Sequence, residues 1–259
     1  MTRSRPQPNA SPSASASPSA SASGSPGAPV PIWELPERGE RGPKPRHSRA
    51  AIAAAAVALA DAEGIDAVTM RRMAAELGMG TMSLYNYVPT KDHLVQLMID
   101  QAGGEYRYPR RPPADNRAAI VDLACQGRDI TQRHPWLPRV MHRPPAMGPN
   151  AVRYIEYFLG LLADSGLDTG AKMEVLALVN GFAISYGGMQ AALAEERART
   201  GITLQEQAEA QVAPLVAAIA TGRYPNLAAA LGAPAPPPRD AADIFESCVM
   251  RLIDGALGG

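Results

Sequence analysis

The sequence predicts an all-α fold, with a small N-terminal helical domain followed by a larger helical one. Three observations lead there. Hydrophobic residues make up 46% of the 259 residues while aromatics supply 5%. Most of that apolar content is Ala, Leu, Met and Val, and Ala and Leu lose little entropy in a helix. Apolar residues recur at helical spacing, as in Ile52, Ala56, Leu59 and Ala60. The periodic stretches are bounded by cap residues and breakers: Ser48, Thr69 and Thr90 ahead, Gly64, Gly78 and Gly166 behind.

Residues 1–37 read as a tail. From Asn9 to Pro31 it is almost wholly Ser, Ala, Pro and Gly, which cannot bury enough apolar area to offset its ordering entropy, so disorder is expected. Pro31-Ile32-Trp33-Glu34-Leu35-Pro36 is an apolar island with two open readings, a docking segment or a solvated linker. A basic arm follows over residues 38–47. The basic stretch runs on to Arg49 and holds Arg38, Arg41, Lys44, Arg46 and Arg49 against Glu40, with Pro43 and Pro45 keeping it extended.

Ser48 caps a first helix over Arg49–Glu63. Thr69 caps a second, with Met70, Met73, Ala74 and Leu77 as its apolar face, and Gly78-Met79-Gly80 breaks it. Thr81 is read as the cap of a third helix reaching Val88, and Thr90 as that of a fourth, Lys91 to Gly103. Tyr108 to Pro113 is Pro/Arg-rich and reads as a hinge. Residues 48–104 thus form one domain and 114–259 another. The second carries helices over about Asp115–Arg133, Asn150–Ser165, Thr169–Arg199, Leu204–Thr221 and, after a Pro-rich break at 233–238, Asp240–Leu257. No internal repeat is present.

Composition excludes several classes. With 25 basic and 25 acidic residues the net charge is +0, which does not suit a bulk nucleic-acid coat but leaves room for a local basic patch. Cys125 and Cys248 lie far apart, with no CxxC or Cys/His cluster, so neither a disulfide framework nor a metal site is expected. No apolar run reaches the roughly 18 residues of a membrane span. The N-terminus lacks a leader-like apolar stretch, so a cytoplasmic protein without membrane association is expected.

Thr69 to Val88 has the proportions of a helix-turn-helix: two short helices, a turn containing Gly, and Leu77, Met79 and Leu84 to fix their angle. Gly78 suits the left-handed conformation of the turn. The third helix would present Thr81, Met82, Ser83, Tyr85, Asn86 and Tyr87. Such a face is neither apolar like a packing face nor Lys/Glu-rich like a solvated one. Hydroxyls and amides can bond phosphates and base edges, and Met and Tyr can contact thymine methyls. Arg71 can reach a guanine edge or a phosphate. Lys91 sits beside helix N-terminal N–H groups that attract phosphate. Thr69, at the start of the second helix, is a further candidate DNA contact, and the basic stretch, with Arg46 and Arg49 as its candidate contacts, has two open readings, entry into an adjacent minor groove or a solvated linker.

The run from Gly64 to Val88, GIDAVTMRRMAAELGMGTMSLYNYV, resembles the DNA-binding domain of the TetR family of repressors, most diagnostically in Leu84-Tyr85-x-Tyr87-Val88-x-x-Lys91. The strong match covers about Ser48 to Gln101. His134-Pro135-Trp136-Leu137 and the Phe245 to Gly255 helix resemble the family's tetracycline-repressor-like C-terminal domain more loosely. The resemblance implies that Arg71 reads a base or a phosphate, that Thr81, Met82 and Ser83 touch bases, and that Tyr85, Tyr87 and Lys91 touch phosphates. Gly80, Thr81 and Asn86 depart from the family pattern, so no relative's operator can be transferred.

It also implies a homodimer, paired through the helices around Thr169–Arg199 and Asp240–Leu257, with Gly181, Gly187 and Gly188 allowing close approach. Two recognition helices about 34–36 Å apart would then read a palindromic double-stranded operator. A small-molecule effector is implied as well. A pocket needs apolar walls with a few polar anchors, and Trp136, Met141, Tyr154, Tyr157, Phe158, Met173, Asn180, Phe182, Tyr186 and Met189 supply that palette, though such a stripe also serves as plain core. No nucleophile elbow, phosphate loop or metal spacing is present, so neither an enzyme nor a cofactor is expected, and His134 and His142 read as structural or solvent-facing. The competing readings are a ligand-independent DNA-binding protein and an all-α enzyme.

Overall fold

The computed structural model describes residues 30–37, 47–111, 113–141, 147–233 and 239–258. The chain divides into residues 1–30 and 31–259, and the second unit is described below. Arg38, Arg41, Lys44 and Arg46 of the arm, His142, most of the tail and most of the 233–238 break lie outside the described residues. The described elements are helices and short turns, with no strand among them.

Four helices build the N-terminal part: α1 (Arg49–Glu63), α2 (Met70–Glu76), α3 (Thr81–Tyr85) and α4 (Lys91–Gly103). Three of the expected caps form. Ser48, Thr69 and Thr90 accept the N–H of Ala51, Arg72 and His93, satisfying donors that a helix start otherwise leaves open. Thr81 does not cap α3. It is the first helical residue, and Gly80 holds the cap position without a side-chain bond. Gly78 adopts φ +61° in the turn, where a Cβ would be strained. Residues 86–88 leave α3 as a turn, because Pro89 disfavours helical backbone at Val88. Ile52, Met73, Leu84, Val88, Leu94 and Met98 close the core.

Seven helices follow: α5 (Asn116–Arg133), α6 (Leu137–Val140), α7 (Pro149–Leu161), α8 (Thr169–Thr200), α9 (Leu204–Ala220), α10 (Pro225–Gly232) and α11 (Ala241–Leu257). A second core of Ile120, Leu123, Phe158, Val179, Phe245, Val249 and Ile253 joins α5, α7, α8 and α11. Gly187 and Gly188 serve contacts within the chain: a Cβ at Gly187 would lie 2.7 Å from the Arg128 carbonyl oxygen of α5, and one at Gly188 3.0 Å from Pro138 of α6. Gly181 alone of the three faces open space. The short α6, α10 and a 3-10 turn at Ile32–Glu34 were not expected from periodicity.

The two parts meet in a polar joint. His134, at the end of α5, places Nδ1 2.7 Å from Asp61 of α1 and Nε2 2.8 Å from Glu105. Trp136 Nε1 donates to the same Asp61 oxygen at 2.7 Å, and Arg139 pairs with Asp66. Ile130, Trp136 and Leu137 add to the N-terminal core. His134 is therefore structural, as expected.

Helix α8 is the longest of the described helices. By length and composition it could cross a bilayer, with a window of mean hydropathy 1.2, a third of it buried. Its small and apolar residues are spread around the helix, and Leu178 is 55% exposed.

Candidate functional site

Helix α3 projects from the N-terminal part with its polar side outward. Leu84 anchors it in the core, while Met82 is 78% exposed and Tyr85 half-exposed. Ser83 and Asn86 are exposed, Thr81 partly so, and Tyr87 packs partly against the core. An exposed methionine costs hydrophobic burial, so Met82 is not placed for stability. Neighbouring arginines on α2 differ. Arg72 is held by Glu63 at 2.8 Å and Glu76 at 3.8 Å. Arg71 is exposed and makes no ion pair among the described residues. Lys91 stands exposed at the first position of α4, beside the Thr90 cap.

Arg49 is not available in the way the sequence suggests. Its guanidinium donates to the carbonyls of Ile32 at 2.9 Å, Leu35 at 2.8 Å, Pro36 at 3.1 Å and Tyr87 at 3.1 Å. Five fixed donors on a planar fork make arginine suited to such a cluster. In this arrangement Arg49 is a backbone clamp, its guanidinium committed to carbonyls, rather than a free cation at the end of the arm.

A cavity of about 220 Å³ lies between α4, α5, α7 and α8. Ile99, Ala102, Leu137, Ile155, Leu176 and Ile184 give it apolar walls, and Asp100, Tyr106, Asn150, Tyr154 and Asn180 bring polar groups. Tyr106 and Tyr154 lie with ring centroids 4.6 Å apart. Gly127 of α5 makes room for the Tyr106 hydroxyl, since a Cβ there would fall 2.6 Å from it. Tyr154 donates to Asn180 at 2.5 Å. Burial pushes both phenols well above their ordinary range, so they stay protonated and serve as donors. Burial also raises the Asp100 carboxyl, against the lowering effect of hydrogen bonds from Ala151 and Asn150.

Of the ten expected pocket residues, Met141, Tyr154 and Asn180 line this cavity. Trp136 and Phe158 are core instead. Phe182 stacks on Phe245 at 5.3 Å, and Tyr186 packs on the same ring. Met173 and Met189 are exposed. Tyr157 faces a separate polar cleft between the hinge and α5. Sequence reasoning missed Asp100, Tyr106 and Asn150. The signal for Asp100 was there: a carboxylate on the inward side of α4, one turn beyond Leu97.

Two family models match the chain. Residues 52–98 match the bacterial regulatory proteins of the tetR family, and residues 108–257 match the tetracyclin repressor-like C-terminal domain. The chain belongs to the TetR family. Within it, the chain is 39% identical over 202 residues to the HTH-type transcriptional repressor DrrR1 of Streptomyces coeruleorubidus, covering 76% of this chain and 73% of that one. It is 32% identical over 160 residues to an HTH-type transcriptional regulator of Saccharopolyspora erythraea, covering 62% and 67%. Among solved structures, the TetR family protein ActR of Streptomyces coelicolor in complex with actinorhodin superposes with a TM-score of 0.67 at 28% identity, over 83% of this chain and 99% of that one. This TetR family chain is accordingly a helix-turn-helix transcriptional regulator, and the family is not an enzyme family. Residues 31–37, with the Arg49 clamp just behind them, lie outside both matched regions.

Proposed function

We propose that the protein is a homodimeric repressor that binds a palindromic operator in the cytoplasm and leaves it when a small molecule fills the cavity. Met82, Ser83, Tyr85 and Asn86 face base edges, Arg71 reads a base or a phosphate, and Lys91 and Thr69 flank the backbone contacts. Pairing uses α8 and α11, where Leu178, Gly181 and Ile244 are exposed, and a second copy would cover these residues. The observation that carries the reading is one shared helix. α4 begins beside the DNA-facing helix at Lys91 and ends with Ile99, Asp100, Ala102 and Gly103 in the cavity wall. A ligand there presses directly on a helix of the DNA-binding part, one packed along α1, so it binds one conformer better than the other. The walls suit a largely apolar molecule with a few hydrogen-bonding groups, and the ActR complex with actinorhodin is the precedent in a relative.

The test is selection of bound duplexes from a random DNA library at stated salt. An enriched palindrome, followed by compounds that both raise the melting temperature and release that duplex, supports the reading. Binding without sequence preference that fades with salt overturns it.

A further inference from the structure

The 3-10 turn at Ile32–Glu34 is built into the molecule. Ile32 is fully buried in the N-terminal core, and its N–H donates to the Gln96 side chain of α4 at 3.2 Å. Arg49 then ties three carbonyls of this segment, those of Ile32, Leu35 and Pro36, to the carbonyl of Tyr87, two residues past the end of the DNA-facing helix. The other end meets the cavity. The Trp33 ring lies against Gly148 so closely that a Cβ there would fall 2.7 Å from Trp33 Cζ2, and it would also collide with the Asp100 carboxylate. Gly148 lines the cavity and starts α7. The indole N–H of Trp33 is buried without an acceptor among the described residues. Such an orphaned donor carries a desolvation cost, set against the packing of the ring on the core.

We propose that Ile32–Pro36 is a coupling strap: Trp33 follows the position of Gly148 at the cavity wall, and Arg49 passes that position to the backbone at the end of the DNA-facing helix. This rests on the ligand-released repressor reading and adds to it a second connection, parallel to α4. Trp33 and Arg49 are positioning residues, touching neither DNA nor effector. A filled cavity that pushes Gly148 toward the strap moves the Trp33 ring, because the ring occupies the space beside the Gly148 backbone. The strap is held at three carbonyls by one guanidinium, so it moves with Tyr87.

The test is a double-mutant cycle on operator affinity in the full chain, using the duplex selected by the wild-type protein. Gly148→Ala puts a Cβ against both the Asp100 carboxylate and the Trp33 ring at one end, and Arg49→Lys keeps the charge but loses the fork at the other. These residues share no contact, so independent effects multiply to within about twofold. The strap predicts a departure of more than about threefold, abolished when Trp33→Ala is added to all four proteins. Additive effects would overturn it. Should Gly148→Ala fail to fold by circular dichroism, hydrogen exchange decides: operator binding slows exchange at residues 148–152 in the wild type but not in Trp33→Ala. Equal slowing in both overturns the strap, as does none in either. A wild-type protein that selects no duplex would instead fail the repressor reading.

Discussion

Asp100 caps a helix to which it does not belong: near the end of α4, it accepts the backbone N–H of Asn150 in α7 at 3.0 Å and its side-chain amide at 2.9 Å. Ala151 adds a second backbone N–H at 3.3 Å. Gly148, the α7 cap residue, has no side chain to do this work, so the first turn of the effector-side helix is closed by the helix that leads to the DNA.

Removing that cap has a defined cost. Asp100→Ala leaves two helix-start donors open and is expected to destabilise by about 1–2 kcal/mol, or roughly 2–8 °C in melting temperature for a chain of this size. Operator affinity should fall with it, since the end of α4 loses its anchor. Thermal unfolding and fluorescence anisotropy on the selected duplex check both. Unchanged values would mean that α4 and α7 are held by packing alone.

Two carboxylates give opposite pH dependence. Burial raises Asp100 above its ordinary 3.8. Its contribution is therefore complete below that value and diminishes as pH rises through the folded value. For Glu105, burial acts upward, but hydrogen bonds from His134 and Arg133 outweigh it and leave the carboxyl below 4.5. Glu105 thus stabilises above 4.5, and that contribution is lost as pH falls through its folded value. Glu105→Gln should flatten the acid limb of a stability–pH curve below about 4.5, and Asp100→Asn should remove the decline just above 3.8. Denaturant midpoints measured from pH 3 to pH 7 provide the comparison.

The two adjacent arginines of α2 should separate cleanly. Arg72 is spent on Glu63 and Glu76 at the surface, where such pairs are worth about 0–1 kcal/mol. Arg72→Ala should leave operator affinity within about twofold. Arg71→Ala should cost about 1–3 kcal/mol and relax one base position if it reads a base. Uniform weakening on every sequence, with a shallower salt slope, would assign it to phosphate instead. Affinity across single-base operator variants distinguishes the two.

Glycines of α8 offer a further pair. A Cβ at Gly187 meets the α5 backbone at 2.7 Å, so Gly187→Ala must separate two packed helices and should destabilise by about 1–3 kcal/mol. Gly181 opens onto free space within one copy. Gly181→Ala should gain about 0.5–1 kcal/mol of helix stability unless a second copy covers that face. Light scattering alongside unfolding reads both effects.

The N-terminal part was largely legible because its signals are local. Ser48, Thr69 and Thr90 cap through their own side chains, and Gly78 announces its turn by lacking a Cβ. The cavity was less so. Aromatic identity says that a residue is large and apolar, not which side of a helix bundle it fills, and Trp136 and Phe158 went to the core while Tyr106, which belongs to no periodic stretch, reached the cavity. Arg49 was misread for a related reason. In sequence it looks like the end of a basic run, and only the return of Ile32–Pro36 onto α1 supplies the carbonyls that claim it. Gly148 meets Trp33 and Asp100 across long sequence separations that no periodicity encodes.

The chain has only two tryptophans, and both sit where its halves touch: Trp33 on Gly148, and Trp136 with its indole nitrogen on Asp61 of α1. One indole donor is bonded to a carboxylate and the other has no acceptor among the described residues. Their emission should therefore differ in wavelength and answer separately when the joint shifts. The protein carries its own pair of optical gauges, and a titration with DNA or candidate effectors can be followed in unlabelled material.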